Sequence, residues 1–159
     1  MQVYLLRHGI AEDQHAGKSD AQRRLTPRGV RRLKDVLKQA SSYETVPSLV
    51  LSSPLVRAFE TAEIAASELG YKNDILQTTA LTPESSPAQV WEEIRIHRGE
   101  SAILLVGHEP LFSSLYSFLL DSPSLAVRVR KGSLGRIELD ASSPRARGIL
   151  HWILVPSSE

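Results

Sequence analysis

The stretch Ala102-Ile-Leu-Leu-Val-Gly-His-Glu-Pro110 carries the key to the fold. Its first five residues are apolar without alternation, as expected of a strand buried on both faces, and such strands belong to parallel sheets covered by helices. Gly107 and His108 end the run. The mostly apolar segment Leu111–Leu120 then predicts a buried helix. The same order recurs toward the N-terminus. Val3–Leu6 reads as a buried strand, and Thr26-Pro27 opens a helix with a good N-cap and a proline in its first turn. Val30, Leu33, Leu37 and Ala40 follow at helical spacing. Leu49–Leu51 is a second short strand. Ser53-Pro54 repeats the cap-plus-proline signal before Leu55, Phe59, Ala62, Ala66 and Leu69, and Gly70 stops that helix. Asp74–Thr79 predicts a third strand. Ser86-Pro-Ala-Gln89 is a capping box ahead of Val90, Trp91 and Ile94, with Gly99 as the stop. Toward the C-terminus, Val127–Val129, Leu134–Leu139 and Ile149–Val155 predict strands, the last two antiparallel. Loops are expected at Ala11–Arg24 and Asp140–Gly148.

Four alternations of strand and helix predict an α/β fold: a three-layer α/β/α sandwich. Its central sheet would hold about six strands, mostly parallel, with an antiparallel strand near the C-terminus. The chain has 159 residues and no internal repeat, so residues 1–159 are expected to form a single domain. Apolar residues make up 42% and charged residues 23%, which excludes disorder as the main state. The net charge of +1 does not ask for nucleic acid or a membrane surface. The absence of cysteine excludes disulfides, thiolate metal sites and a Cys nucleophile. The N-terminal apolar run is too short for a signal peptide or a membrane span, so a cytoplasmic protein is expected.

In sheets of this kind ligands bind beyond the carboxyl ends of the strands. There the chain places Arg7-His8-Gly9, Ser52-Ser53-Pro54-Leu55-Val56-Arg57 and Gly107-His108-Glu109-Pro110. Taken alone, Arg57 is most simply a surface charge in a first helical turn. A lone His at a strand end is most simply a partly exposed, hydrogen-bonded side chain. Together, two guanidinium forks match a tetrahedral oxyanion, and an imidazole beside them can act as nucleophile, base or donor. A helix N-terminus would add positive potential, and Gly9 would let a ligand approach the backbone. The set suits a phosphoryl group without metal or cofactor. His15, His97 and His151 fit no ligand spacing, and His108-Glu109 lacks the second His of a zinc motif because Phe112 stands there. Glu60, Glu63 and Glu68 read as a solvated helix face.

Four blocks, Leu5-Leu-Arg-His-Gly-Ile-Ala-Glu12, Leu25-Thr-Pro-Arg-Gly29, Ser52-Ser-Pro-Leu-Val-Arg-Ala-Phe-Glu-Thr-Ala62 and Leu105-Val-Gly-His-Glu-Pro110, resemble the histidine phosphatase (phosphoglycerate-mutase-like) superfamily in order and spacing. The short length and Leu81-Thr-Pro83 look most like its SixA-type phosphohistidine phosphatases. The resemblance implies that His8 is the nucleophile, becoming a phosphohistidine that water hydrolyses. It also implies that Arg7, Arg57 and His108 hold the equatorial oxygens, with His108 protonated as a donor. Larger members carry an acidic proton donor where this chain has Pro83, with Glu84 one place beyond. An alkoxide needs such an acid, whereas an imidazole can leave already protonated. The missing acid and the short loops therefore favour phosphohistidine on a partner protein, such as a phosphotransfer domain. Glu84 or Glu12 could still supply a proton. The alternatives are a small-molecule phosphomonoesterase and, less favoured with both His intact, a non-catalytic phosphoryl-binding module.

Overall fold

The side chains of one central strand alternate between two cores, and that alternation sets the architecture. The computed structural model describes residues 1–15 and 17–157. Its strands are β1 (Gln2–Arg7), β2 (Leu49–Ser52), β3 (Leu76–Gln77), β4 (Ala102–Gly107), β5 (Leu134–Glu138) and β6 (Ile149–Leu154). They form one sheet in the order β3-β2-β4-β1-β5-β6. β1 to β4 run parallel; β5 pairs antiparallel with β1, and β6 antiparallel with β5, so β5 alone is reversed. In β4, Ile103 and Leu105 face a core with Val90, Trp91 and Ile94 of α3 (Pro87–Ile96) and Leu111, Phe112 and Leu115 of α4 (Leu111–Leu119). Leu104 and Val106 face the other core, against Leu33, Val36 and Leu37 of α1 (Pro27–Ser41) and Ala58, Ala62 and Ala65 of α2 (Val56–Leu69). The result is the expected α/β/α sandwich. No helix among the described residues is long and apolar enough to cross a membrane.

Local signals account for most element ends. Thr26 caps α1 by accepting from Gly29 N, and Ser86 and Gln89 complete their capping box at α3. Gly70 ends α2 in the left-handed region at φ 76°, where glycine has no steric penalty.

Several expectations are corrected. Ser53 does not cap α2: the helix starts at Val56 after a turn, and the Ser53 hydroxyl serves another partner. The buried stripe of α2 is made of Arg57, Ala58, Thr61, Ala62, Ala65, Ala66 and Leu69; Ala62, Ala66 and Leu69 lie on it as expected, whereas Leu55 and Phe59 are only half-buried. Small residues there let α1 and α2 pack closely. Asp74–Thr79 shortens to Leu76–Gln77, because Thr78 caps a 3-10 turn, Thr79–Leu81, instead of extending the edge. α3 ends at Ile96, before Gly99. Val127–Val129 forms no strand; the Val129 carbonyl accepts from Arg7 Nη1 at 2.8 Å rather than from a ladder partner. Ala11–Arg24 contains a 3-10 turn at Asp20–Gln22.

Candidate active site

The carboxyl ends of β1, β2 and β4 lie side by side, and the chain leaves each of them with a functional residue. His8 N donates to Gly107 O at 3.0 Å, one step past the ladder. The His8 ring follows the backbone closely: Nδ1–H donates to Gly9 O at 2.7 Å. That bond settles the tautomer and leaves Nε2 as the ring nitrogen with a free lone pair. Gly9 is held in turn, since its N–H donates to Thr61 Oγ1 at 3.2 Å and the Thr61 hydroxyl donates to Arg57 O at 2.7 Å. One threonine thus ties the turn after His8 to the helix that carries Arg57.

Gly9 has a different reason from the one expected. A Cβ there would meet Gly29 O at 3.3 Å and Leu25 Cδ2 at 3.4 Å. The glycine admits α1, not a ligand. Gly29 is more demanding still, because a Cβ at that position would overlap Ile10 O.

His108 is buried, and its ring centroid lies 5.0 Å from that of His8. Its Nε2 shares a hydrogen bond of 2.8 Å with Ser53 Oγ, which also accepts from Leu55 N. Arg57, 4% exposed, directs Nη1 to Asp20 O at 2.9 Å and Nη2 to Asp20 Oδ2 at 3.2 Å. Among the buried polar atoms without a hydrogen-bond partner are Arg7 Nε, Arg57 Nε and His108 Nδ1. Each such atom costs about 1–3 kcal/mol unless something satisfies it. Three of them on neighbouring residues mark a site built for an acceptor-rich group.

Both imidazoles are held neutral. Burial first, then the charges of His108, Arg57 and Arg7, push His8 from 6.5 down to about 3, against the opposing pull of the Gly9 carbonyl. His108 is likewise pushed down to about 3 by burial and then by Arg57, Arg7 and Arg23. In the free protein this disfavours the protonated form of His108. Glu109, next to His108 in the chain, accepts from Ser113 N at 2.6 Å at the start of α4.

The structure thus brings together all four residues expected from the sequence: Arg7, His8, Arg57 and His108. It treats the two proton-donor candidates differently. Glu12 Oε1 accepts from Lys18 Nζ at 2.7 Å and from Arg24 N at 2.8 Å, and these bonds lower its pKa, so Glu12 is held as a carboxylate. Glu84 is exposed beside the half-buried Pro83. Ser53, Thr61, Asp20 and Lys131 were missed as site residues. Ser53 was visible only as a cap, and the other three lack any local signal, because loops or helix packing deliver them. Among the described residues, no three His, Asp or Glu side chains are grouped to hold a metal ion.

Residues 3–82 match the Histidine phosphatase superfamily (branch 1). This chain belongs to that family. A relative of 36% identity over 111 residues, covering 69% of this chain and 67% of its own, is an uncharacterized protein of Picosynechococcus sp.. Among solved structures, the protein histidine phosphatase SixA complexed with tungstate superposes with a TM-score of 0.85 at 26% identity, covering 98% of this chain and 97% of that one. A candidate SixA phosphohistidine phosphatase from Agrobacterium tumefaciens gives 0.80 at 22%, covering 98% of both chains. The fold is shared more widely: a mycobacterial glucosyl-3-phosphoglycerate phosphatase gives 0.67 at 16% identity, covering 94% of this chain and 96% of its own.

Proposed function

We propose that residues 1–159 form one catalytic domain, a metal-independent phosphatase that removes phosphoryl groups from phosphohistidine on a partner protein. The carrying observation is His8: neutral, its Nδ1–H committed to Gly9 O, its Nε2 free, among Arg7, Arg57 and His108. Nε2 attacks phosphorus in line. The P–N bond to the partner's imidazole breaks with its electron pair going to nitrogen, and that imidazole leaves as a neutral ring because its second nitrogen already carries a proton; where that nitrogen is bare, water supplies one. The phosphoryl group then sits on His8, and water hydrolyses it to inorganic phosphate, restoring the neutral ring. Arg7, Arg57 and His108 meet the charge on the equatorial oxygens, which is the main work of phosphoryl transfer. The neutral His108 donates one N–H; it does not need a second proton. The substrate class is supported by the likeness to SixA and by the fate of the acids: Pro83 stands at the expected donor position, and Glu12 is a bound carboxylate.

The shared fold of the sugar-phosphoglycerate phosphatase supports a second reading, hydrolysis of a small phosphomonoester. Phosphate release from a phosphohistidine-bearing protein, p-nitrophenyl phosphate and sugar phosphates separates the two. We expect kcat/KM on the phosphohistidine protein to exceed that on an alkyl phosphate by at least about 10²-fold, the contribution a general acid would make to the alkoxide. His8→Ala should abolish turnover of every substrate while the protein still folds. A sugar phosphate as the best substrate would establish the second reading, and no turnover of any would leave a binding module.

A further inference from the structure

Beside Arg7 the phosphoryl site opens into a groove of about 620 Å³, whose lining includes Arg7, Arg32, Arg128, Arg130 and Lys131. No Asp or Glu stands among its described lining residues. Arg128, Arg130 and Lys131 are exposed, and among the described residues they form no ion pair. Lys131 is depressed by partial burial and by the charges of Arg7, Arg23 and Arg57, against the opposing pull of Asp13. By contrast, the groove between α1 and α2 is lined by Glu12, Glu60, Glu63 and Glu68 among others. In a chain of net charge +1, the described lining of this groove thus carries basic side chains and no acidic ones.

The groove wall is fixed to the nucleophile's strand. Arg7 Nη1 donates to Val129 O at 2.8 Å, while Gly132 N approaches Arg7 O at 3.1 Å and His8 O at 3.0 Å. Arg128 and Arg130, on either side of buried Val129, are thus held on a braced segment immediately next to the reacting centre.

We propose that this groove receives carboxylates flanking the phosphorylated histidine of an acidic partner protein, a proposal that rests on the phosphohistidine reading above. Exposed guanidinium groups on a fixed wall suit the surface of another protein, where complementary charge steers encounter and sets register. Ile10, Val155 and Pro156 in the same wall offer apolar surface to the methylenes of that partner. A second phosphoryl group of a small molecule would call for an enclosed pocket, and the described lining of the groove holds no aromatic side chain on which bases could stack.

The test is binding, kept separate from turnover. Two fluorescein-labelled peptides, one with Asp and Glu around a central His and one with Ser in their place, are titrated against the full chain by anisotropy at low ionic strength. We expect the acidic peptide to bind at least about tenfold tighter, within the range that charge complementarity provides. The double variant R128E/R130E should abolish that preference. R95E/R98E, an equal change of charge on and just after α3, should keep it. Equal binding of the two peptides, a preference retained in R128E/R130E, or one lost as fully in R95E/R98E would each overturn the proposal. So would tighter binding of oligo(dT) than of the acidic peptide, or displacement of that peptide by a sugar bisphosphate at lower concentration than by the unlabelled acidic peptide. Turnover of phosphohistidine versions of the peptides tests the catalytic reading by itself: absence of hydrolysis refutes that reading while the binding preference still decides the groove.

Discussion

His8 and His108 are ordinary residues in an environment that removes their proton. Both sit at about 3 in the folded protein against 6.5 for an unperturbed imidazole. The depressed value means that the unfolded chain binds more protons between those limits, so each His contributes stability that is complete above about pH 6.5 and lost as pH falls toward 3. In NMR titrations of the free protein, the His8 and His108 ring signals should stay neutral from pH 8 to 5, and the melting temperature should decline below about pH 6.5. A midpoint near 6.5 for either ring would contradict the arrangement described here. Ser53 acts on the same scale. Ser53→Ala removes the partner of His108 Nε2, so kcat should fall about five- to tenfold, the value of one ordinary hydrogen bond. An unchanged kcat would show that packing alone orients the ring.

At the scale of elements, the site depends on how closely α1 and α2 approach the exit of β1. Glu60, which was expected on a solvated face, instead accepts from Leu25 N at 2.9 Å and from Arg24 Nη2 at 2.9 Å, binding the loop before α1 to α2. Gly29 lets the first turn of α1 rest on Ile10 O. Gly29→Ala should cost about 1–3 kcal/mol through overpacking and, by displacing the Gly9–Ile10 segment, lower activity as well. Ser86→Ala should cost about 1 kcal/mol by removing a helix cap far from His8, with activity preserved. Chemical denaturation and phosphate release measured on both variants check the contrast; activity equal in the two would show that α1 does not position the nucleophile.

At the scale of the whole molecule, the proposed phosphatase would meet the charge of the phosphoryl group with its own cations. The buried Arg57 and the half-buried Arg7 lie at the ends of the strands, and among the described residues no three His, Asp or Glu side chains are grouped to hold a metal ion. Phosphate release should therefore survive EDTA unchanged. Loss on chelation, restored by a divalent ion, would contradict this reading. The loop at residues 11–24 also changes the expected picture of short connections that leave the site bare, because Asp20 reaches across to Arg57 at 3.2 Å.

The layers, most of the element order and the antiparallel C-terminal pair were legible in the sequence, as was the meeting of Arg7, His8, Arg57 and His108 at the strand ends. Unbroken apolar runs require strands buried on both faces, helical spacing requires amphipathic cover, and the strand ends of such a sheet are where ligands meet backbone. Helix caps at Thr26 and Ser86 were legible for the same reason: their physics is local. What the tertiary structure decided was everything that depends on a distant partner. Ser53 looked like a cap because a cap needs only its own next residues, yet it serves His108, 55 positions away. Val127–Val129 looked like a strand, yet the Val129 carbonyl is taken by Arg7, 122 positions away. The protonation of His108 followed the same rule, for its neighbour in sequence is Glu109 while its neighbours in space are Arg57 and Arg7, and burial among cations sets the charge of an imidazole.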